Sequence, residues 1–317
     1  MTVAELIRLS FSKRYPLSVY LEMRRGMWRI TKRTLFRHVK LSSSKQRPRI
    51  SISQLRSAFD QLAIEKTDSV FIHSGIGNIG VIEGGRRAVF EILTDYIHPE
   101  QGNILFPTYP FFPSVYDYLE TNPVFDVASA PSHMGSLTQY SLKTGMGTRS
   151  IHPSHSVLAI GKDAKIFTSD HHTCTTPFSS NSPFQRFLHI DNPKVILIGV
   201  STDSITLAHA VEDMMADTFP IPLYLDKIYS IRCIGWNKQP ISVQTKSHTP
   251  VLSLARDVRR FDPLFRMTGA IRKEIPIGLS KITLIDALKF CETLTALGHQ
   301  GKTIYGTKRL SKSHCTS

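Results

Sequence analysis

The run KVILIGV at residues 194–200 constrains the fold more than any other stretch. It is continuous, apolar and rich in β-formers, with no alternating polar positions. A strand reads this way when both faces of its sheet are covered. A helix is expected near 205–215, just beyond it. Earlier, a helix over 52–64 precedes a strand at 69–73, and a helix near 84–97 precedes a strand at 104–107. PLYLDKIYSIRCIGW reads as strands, and TLIDALKFCETLTAL as a late helix opened by Thr283, with Asp286 three residues on. Alternation of this kind predicts an α/β fold with a central, mostly parallel or mixed sheet flanked by helices.

The formal charge of +14 suggests a nucleic acid or an anionic membrane as partner. Its distribution narrows that reading. Residues 1–49 hold thirteen Lys/Arg against Glu5 and Glu22, and residues 300–317 hold four basic residues and no acid, so the middle of the chain is close to neutral. A whole-surface nucleic-acid footprint is not what this describes. The chain therefore divides into a basic, partly helical extension (1–49), a body (50–299) and a basic tail (300–317) expected to be disordered.

Over residues 18–40, Tyr20, Met23, Met27, Trp28 and Leu35 fall on one side of a helix, opposite Arg25, Arg29, Lys32, Arg33 and Lys40. Such a helix can lie on an anionic membrane surface or dock on protein. No apolar run is long enough for a spanning helix, the N-terminus lacks a secretory pattern, and four scattered cysteines fit a reducing compartment. A cytoplasmic protein is expected, with peripheral attachment at the inner membrane face as one option and a homodimer left open.

Gly75, Gly77 and Gly80 spell G-x-G-x-x-G after the strand at 69–73. The dinucleotide fingerprint also needs a helix opening on the third glycine and an acid closing the next strand. Here VIEGG intervenes, and NILFPTY ends without an acid. The loop is a poor NAD site and a usable seat for phosphate or an amide-rich arm.

The motifs P-S-x-M-G at 131–135, R-S-x-H-P-x-H-S at 149–156 and T-x-x-H-x-x-E at 206–212 occur in order, with FIHSGIGNIGVIEGG before them and SPFQRF and VILIGV between the last two. Together they resemble the aminoglycoside 3-N-acetyltransferase family, from about residue 52 to about 297. The resemblance implies that family's own α/β fold, acetyl-CoA as cosubstrate, and direct transfer in a ternary complex to a primary amine. No metal is expected, because Asp170, His171, His172 and Cys174 form a single cluster where zinc sites usually show two tight ligand pairs. The acceptor would be an aminoglycoside or, given the basic extension, an amino sugar of surface polysaccharide or natural-product assembly. A module that binds CoA or a partner without turnover is the alternative of another class.

Acetyl transfer to an amine needs a base for the amine proton, a donor for the thioester oxyanion and a proton for the thiolate. Histidine suits the first task, with a carboxylate to fix its tautomer. The catalytic candidates are His152, His155, Glu212 and Thr206. His209 is assigned to substrate binding and competes as the base. His73, Ser74, Gly75, Ile76, Gly80, Arg149, Ser150 and Ser156 are expected to contact the cofactor. Asp170, His171, His209 and Asp213 are expected to border the acceptor.

Overall fold

In the computed structural model of the chain, the described residues are 47–112 and 114–305. The helix expected over 18–40 and residues 306–317 of the tail lie outside them. In chain order the strands are β1 (Arg49–Ile50), β2 (Ser69–Ser74), β3 (Val81–Ile82), β4 (Asn103–Pro107), β5 (Phe125–Asp126) and β6 (Thr148–Arg149). They continue with β7 (Val157–Gly161), β8 (Lys194–Ile198), β9 (Tyr224–Ile234), β10 (Pro240–His248), β11 (Ile271–Ile277) and β12 (Ser280–Asp286).

Seven strands form the central sheet in the order β11-β12-β8-β2-β4-β7-β6. The middle three, β8, β2 and β4, are parallel, while β12 and β7 flank them antiparallel. The sheet is therefore mixed. Alternate side chains of each strand enter opposite faces. Val195 and Leu197 join Phe71 and Leu105 in one core, whereas Ile196 and Ile198 join Val70, Ile72 and Ile104 in the other. This two-sided burial is why KVILIGV has no polar alternation.

Helices Ile52–Asp60 and Gly85–Tyr96 cover one face, and Leu207–Met215 and Ala287–His299 cover the other. A second sheet, β10-β9-β5, packs Phe125, Tyr229, Ile231 and Val243 against helix Val115–Glu120 in a smaller third core. No helix among the described residues is long and apolar enough to cross a membrane.

Three sequence expectations are corrected. The late helix does not open at Thr283: that residue lies in β12, paired with Leu197 of β8, and Asp286 caps helix Ala287–His299 by accepting the Lys289 N–H at 3.0 Å. The boundary at residue 49 falls inside the body, because Arg49–Ile50 pairs in parallel with Val81–Ile82. The boundary at residue 299 does too, since Thr303, Ile304 and Tyr305 are buried.

Candidate active site

A cavity of about 330 Å³ opens where the three parallel strands end, bordered by Ser74 at the end of β2, Pro107 of β4 and Val200 after β8. The carboxyl ends of parallel strands are where open α/β sheets place their ligands. The glycine turn shapes this end without entering it. Gly80, at φ +156°, lets Pro48 O approach where a Cβ would sit 2.4 Å away. Gly75 donates its N–H to Ile198 O at 2.8 Å, with no room for a Cβ beside Asn78 and Val200. The following helix begins only at Gly85, beyond β3.

Helix Leu207–Met215 carries the most organised polar group. His209 and Glu212, one turn apart, present facing side chains. His209 Nδ1 lies 2.7 Å from Glu212 Oε2, and the Tyr305 hydroxyl donates to Oε1 at 2.7 Å. His248, at the end of β10, brings Nε2 within 3.8 Å of the same carboxylate. With Nδ1–H directed at Glu212, the His209 ring leaves Nε2 as its acceptor, and this histidine lines the cavity. Burial, reinforced by the charge of Arg256, holds the His209 imidazole well below its ordinary range. Burial also pushes Glu212 up to about 7, against the pull of His248, Tyr305 and Arg256. Such a pair can take a proton from a bound amine and steady the imidazolium that results.

Three more nitrogens on the cavity wall, His73 Nε2, His248 Nε2 and Arg256 Nε, are buried without a hydrogen-bond partner. A buried polar atom left unpaired costs about 1–3 kcal/mol. Their convergence on one cavity therefore marks it as built for a polar ligand.

The expected site residues separate into two groups. His73, Ser74, His155, Thr206 and His209 line the cavity, and Glu212 sits directly behind it against His209. His155 shares a hydrogen bond between its Nδ1 and Ser154 Oγ at 2.8 Å and packs its ring edge on Tyr109 and Phe178.

The rest are elsewhere. His152 is fully buried away from the cavity, accepting the His155 N–H on Nδ1 at 3.1 Å and stacking on His171. His171 is held between Ser150 Oγ and the Pro177 carbonyl. Arg149 is no exposed phosphate clamp: it donates to Thr108, Ser156 and the carbonyls of Ala130 and Thr108, with its guanidinium 4.9 Å from the Phe125 ring. Gly75, Ile76 and Gly80 serve the turn. Asp170 pairs with Arg186 in a loop, and Asp213 accepts the Tyr224 hydroxyl at 2.6 Å.

A family model described as Aminoglycoside 3-N-acetyltransferase matches residues 71–297. The chain belongs to the aminoglycoside 3-N-acetyltransferase family. It is 26% identical over 171 residues to aminoglycoside N(3)-acetyltransferase III of Pseudomonas aeruginosa, a match covering 50% of this chain and 62% of that protein. It is 27% identical over 167 residues to the acetyltransferase-like protein YokD of Bacillus subtilis, covering 48% and 60%. These matches span about three fifths of the curated relatives' length.

Solved structures agree in fold at 20% identity. The acetyltransferase AAC(3)-Xa gives a TM-score of 0.68 over 80% of this chain and 94% of that one. A CoASH binary complex of AAC-IIIb gives 0.65 over 81% and 98%. At 22% identity, AAC-VIa bound to sisomicin gives 0.61 over 78% and 96%. The family fold expected from the sequence is thus the fold observed.

In this family member, His209, Glu212 and His248 are also the described residues whose ligand atoms, all within 4.8 Å of one another, could hold a cation. His209 and Glu212 already satisfy each other by hydrogen bond. Sequence reasoning missed His248, Arg256, Tyr109 and Tyr305. His248 and Arg256 stand in no recognisable motif, Tyr109 lies in the family-like run ILFPTYPF without being singled out, and Tyr305 lies in what composition marks as a basic tail.

Proposed function

We propose that the protein is an acetyl-CoA-dependent N-acetyltransferase acting on a primary amine of an aminoglycoside or amino sugar in a ternary complex, with His209 as general base. The observation that carries the reading is the 2.7 Å contact between His209 Nδ1 and Glu212 at the cavity wall. The names of the family relatives, and the CoASH and sisomicin complexes of two of them, support the donor and the acceptor class.

The neutral amine nitrogen attacks the thioester carbonyl carbon while His209 Nε2 takes its proton. Glu212, held by Tyr305, stabilises the imidazolium. The C–S bond then breaks, and the proton passes from His209 to the departing thiolate, giving an amide and free CoA thiol. The Thr206 hydroxyl and the His155 and His73 imidazoles, on the same cavity, are placed to donate to the carbonyl oxygen or the pantetheine amides. The base assigned here is thus one of three open from the sequence, and His152 is the one set furthest from the role.

Thiol release from acetyl-CoA, screened against aminoglycosides and amino sugars, tests the proposal. Wild-type protein should turn over at least one amine, and His209→Ala should lose about 10²- to 10⁴-fold in kcat. Tight CoA binding without transfer to any amine would favour the binding-module reading instead. Peripheral attachment through residues 1–49 belongs to the same proposal; liposome sedimentation that is unchanged by their deletion would remove it.

A further inference from the structure

The charge of the cavity wall bears on the acceptor. Among the described residues its lining is apolar, hydroxyl or imidazole, with one formal charge, the guanidinium of Arg256, and no carboxylate. Glu212 lies behind His209 with both oxygens engaged. Arg256 donates Nη2 to the Ile205 carbonyl at 2.9 Å, while its Nε is buried with no partner. The guanidinium is half-buried, and a cationic donor whose Nε is shielded from water on a cavity wall is completed by an anion.

Its place is equally specific. Ile205 and Thr206 immediately precede helix Leu207–Met215, and His209 stands in the first turn of that helix. The guanidinium is thus bonded just ahead of the helix that carries the proposed base, and both side chains border the same cavity. The helix N-terminus adds its own positive end there. The diphosphate of CoA lies at the far end of the pantetheine arm from the thioester, so an anion this close to the base belongs to the other substrate.

Size agrees. About 330 Å³ is at the low end for ligand cavities and is room enough for a single sugar ring. A polycation would also set protonated amines beside Arg256 with no carboxylate on the wall to receive them.

We infer that the acceptor is a small amine that also carries an anionic group, a phosphate or a carboxylate, gripped by Arg256 while its amine faces His209; the inference rests on the acetyl-transfer reading above. The acceptor class is then an acidic amino sugar, not a polycationic antibiotic.

Four probes test this on the full chain: glucosamine, glucosamine 6-phosphate, the carboxylate-bearing muramic acid, and sisomicin. Thiol release should give at least one anionic amine a kcat/KM ten-fold or more above glucosamine, and the better of the two identifies the anion. Arg256→Gln should bring that ratio toward one, and Arg256→Lys should restore part of it. A preference for sisomicin, parity between the anionic probes and glucosamine, or an equal loss for every probe in Arg256→Gln would each overturn the inference.

Calorimetry with the same probes and no acetyl-CoA separates the two readings and, on wild-type protein, needs no variant to fold. Anionic amines should bind ten-fold or more tighter than glucosamine. If they do and no amine is acetylated, the acetyl-transfer reading fails while the acceptor inference holds. If sisomicin is acetylated and no anionic preference exists, the acceptor inference fails while acetyl transfer holds.

Discussion

His209 and Glu212 meet at 2.7 Å on one face of helix Leu207–Met215, and Tyr305, 93 residues further on, closes the carboxylate from its other side. This three-member chain fixes which imidazole nitrogen is free. Glu212→Gln keeps the shape and removes the charge that stabilises an imidazolium, so kcat should fall by about 10²- to 10⁴-fold with KM for acetyl-CoA little changed. Tyr305→Phe removes one hydrogen bond to a charged group, worth about 1.5–3 kcal/mol, and a smaller loss is expected. Steady-state thiol release on both variants checks the order of the two effects.

The rate should rise with pH and reach its plateau above about 7. Burial pushes Glu212 up to about 7, while His209 stays neutral far below that. As pH falls through the carboxyl's range, Glu212 takes a proton and stops orienting the imidazole. His248, Tyr305, Arg256 and Asp213 face or adjoin the pair, so the limb belongs to the coupled group and not to one residue. A kcat/KM profile from pH 5 to 9 reads it; a flat profile in this range would contradict the assignment.

His152→Ala is expected to act on stability and leave the chemistry nearly intact. His152 is fully buried outside the cavity, and its loss leaves the His155 N–H without its acceptor. A cost of about 1–3 kcal/mol follows. Denaturant unfolding beside kinetics on the same preparation separates the two; a kcat loss as large as that of His209→Ala would return His152 to the mechanism.

Acid should destabilise the fold. Burial lowers the imidazoles of His73, His171 and His248 to about 3, and those of His152, His155 and His209 well below the usual range. Below about pH 6.5 the unfolded chain takes up protons that these native side chains refuse, so stability is lost as pH falls. Glu212 and Asp213, raised by burial to about 7 and about 6, work the other way, because the native state protonates them first. Six imidazoles outnumber two carboxyls. Tm should therefore drop steadily from pH 7 to pH 5, as thermal melts would record.

The fold was legible wherever burial left only one reading. The strand SVFIHS and the run KVILI are covered on both faces, and no polar residue interrupts them until His73 turns toward the cavity. The late helix was misplaced because Thr283 to Asp286 offers capping chemistry, while Leu284 and Ile285 are held in β12 by pairing that only the sheet supplies. His152 and His155 straddle Pro153 in the sequence, and local spacing cannot tell which of them faces the cavity. Arg149 reads in the sequence as a cofactor contact because it opens the R-S-x-H-P-x-H-S segment; in the fold, carbonyls 18 to 41 residues distant absorb its donors. Arg256, His248 and Tyr305 were invisible because each is contributed singly by a remote segment.

The dispersal of the cavity has a consequence for how the molecule acquires activity. His73 comes from an early strand and Tyr305 from the end of the described chain, so the wall closes only after the intervening sheet and helices have docked. Contacts of such long range form late. No fragment made by proteolysis or interrupted synthesis can keep a partly working pocket, and a ligand that fits it would bind only molecules that have finished folding, stabilising them by an amount that grows with the logarithm of its concentration.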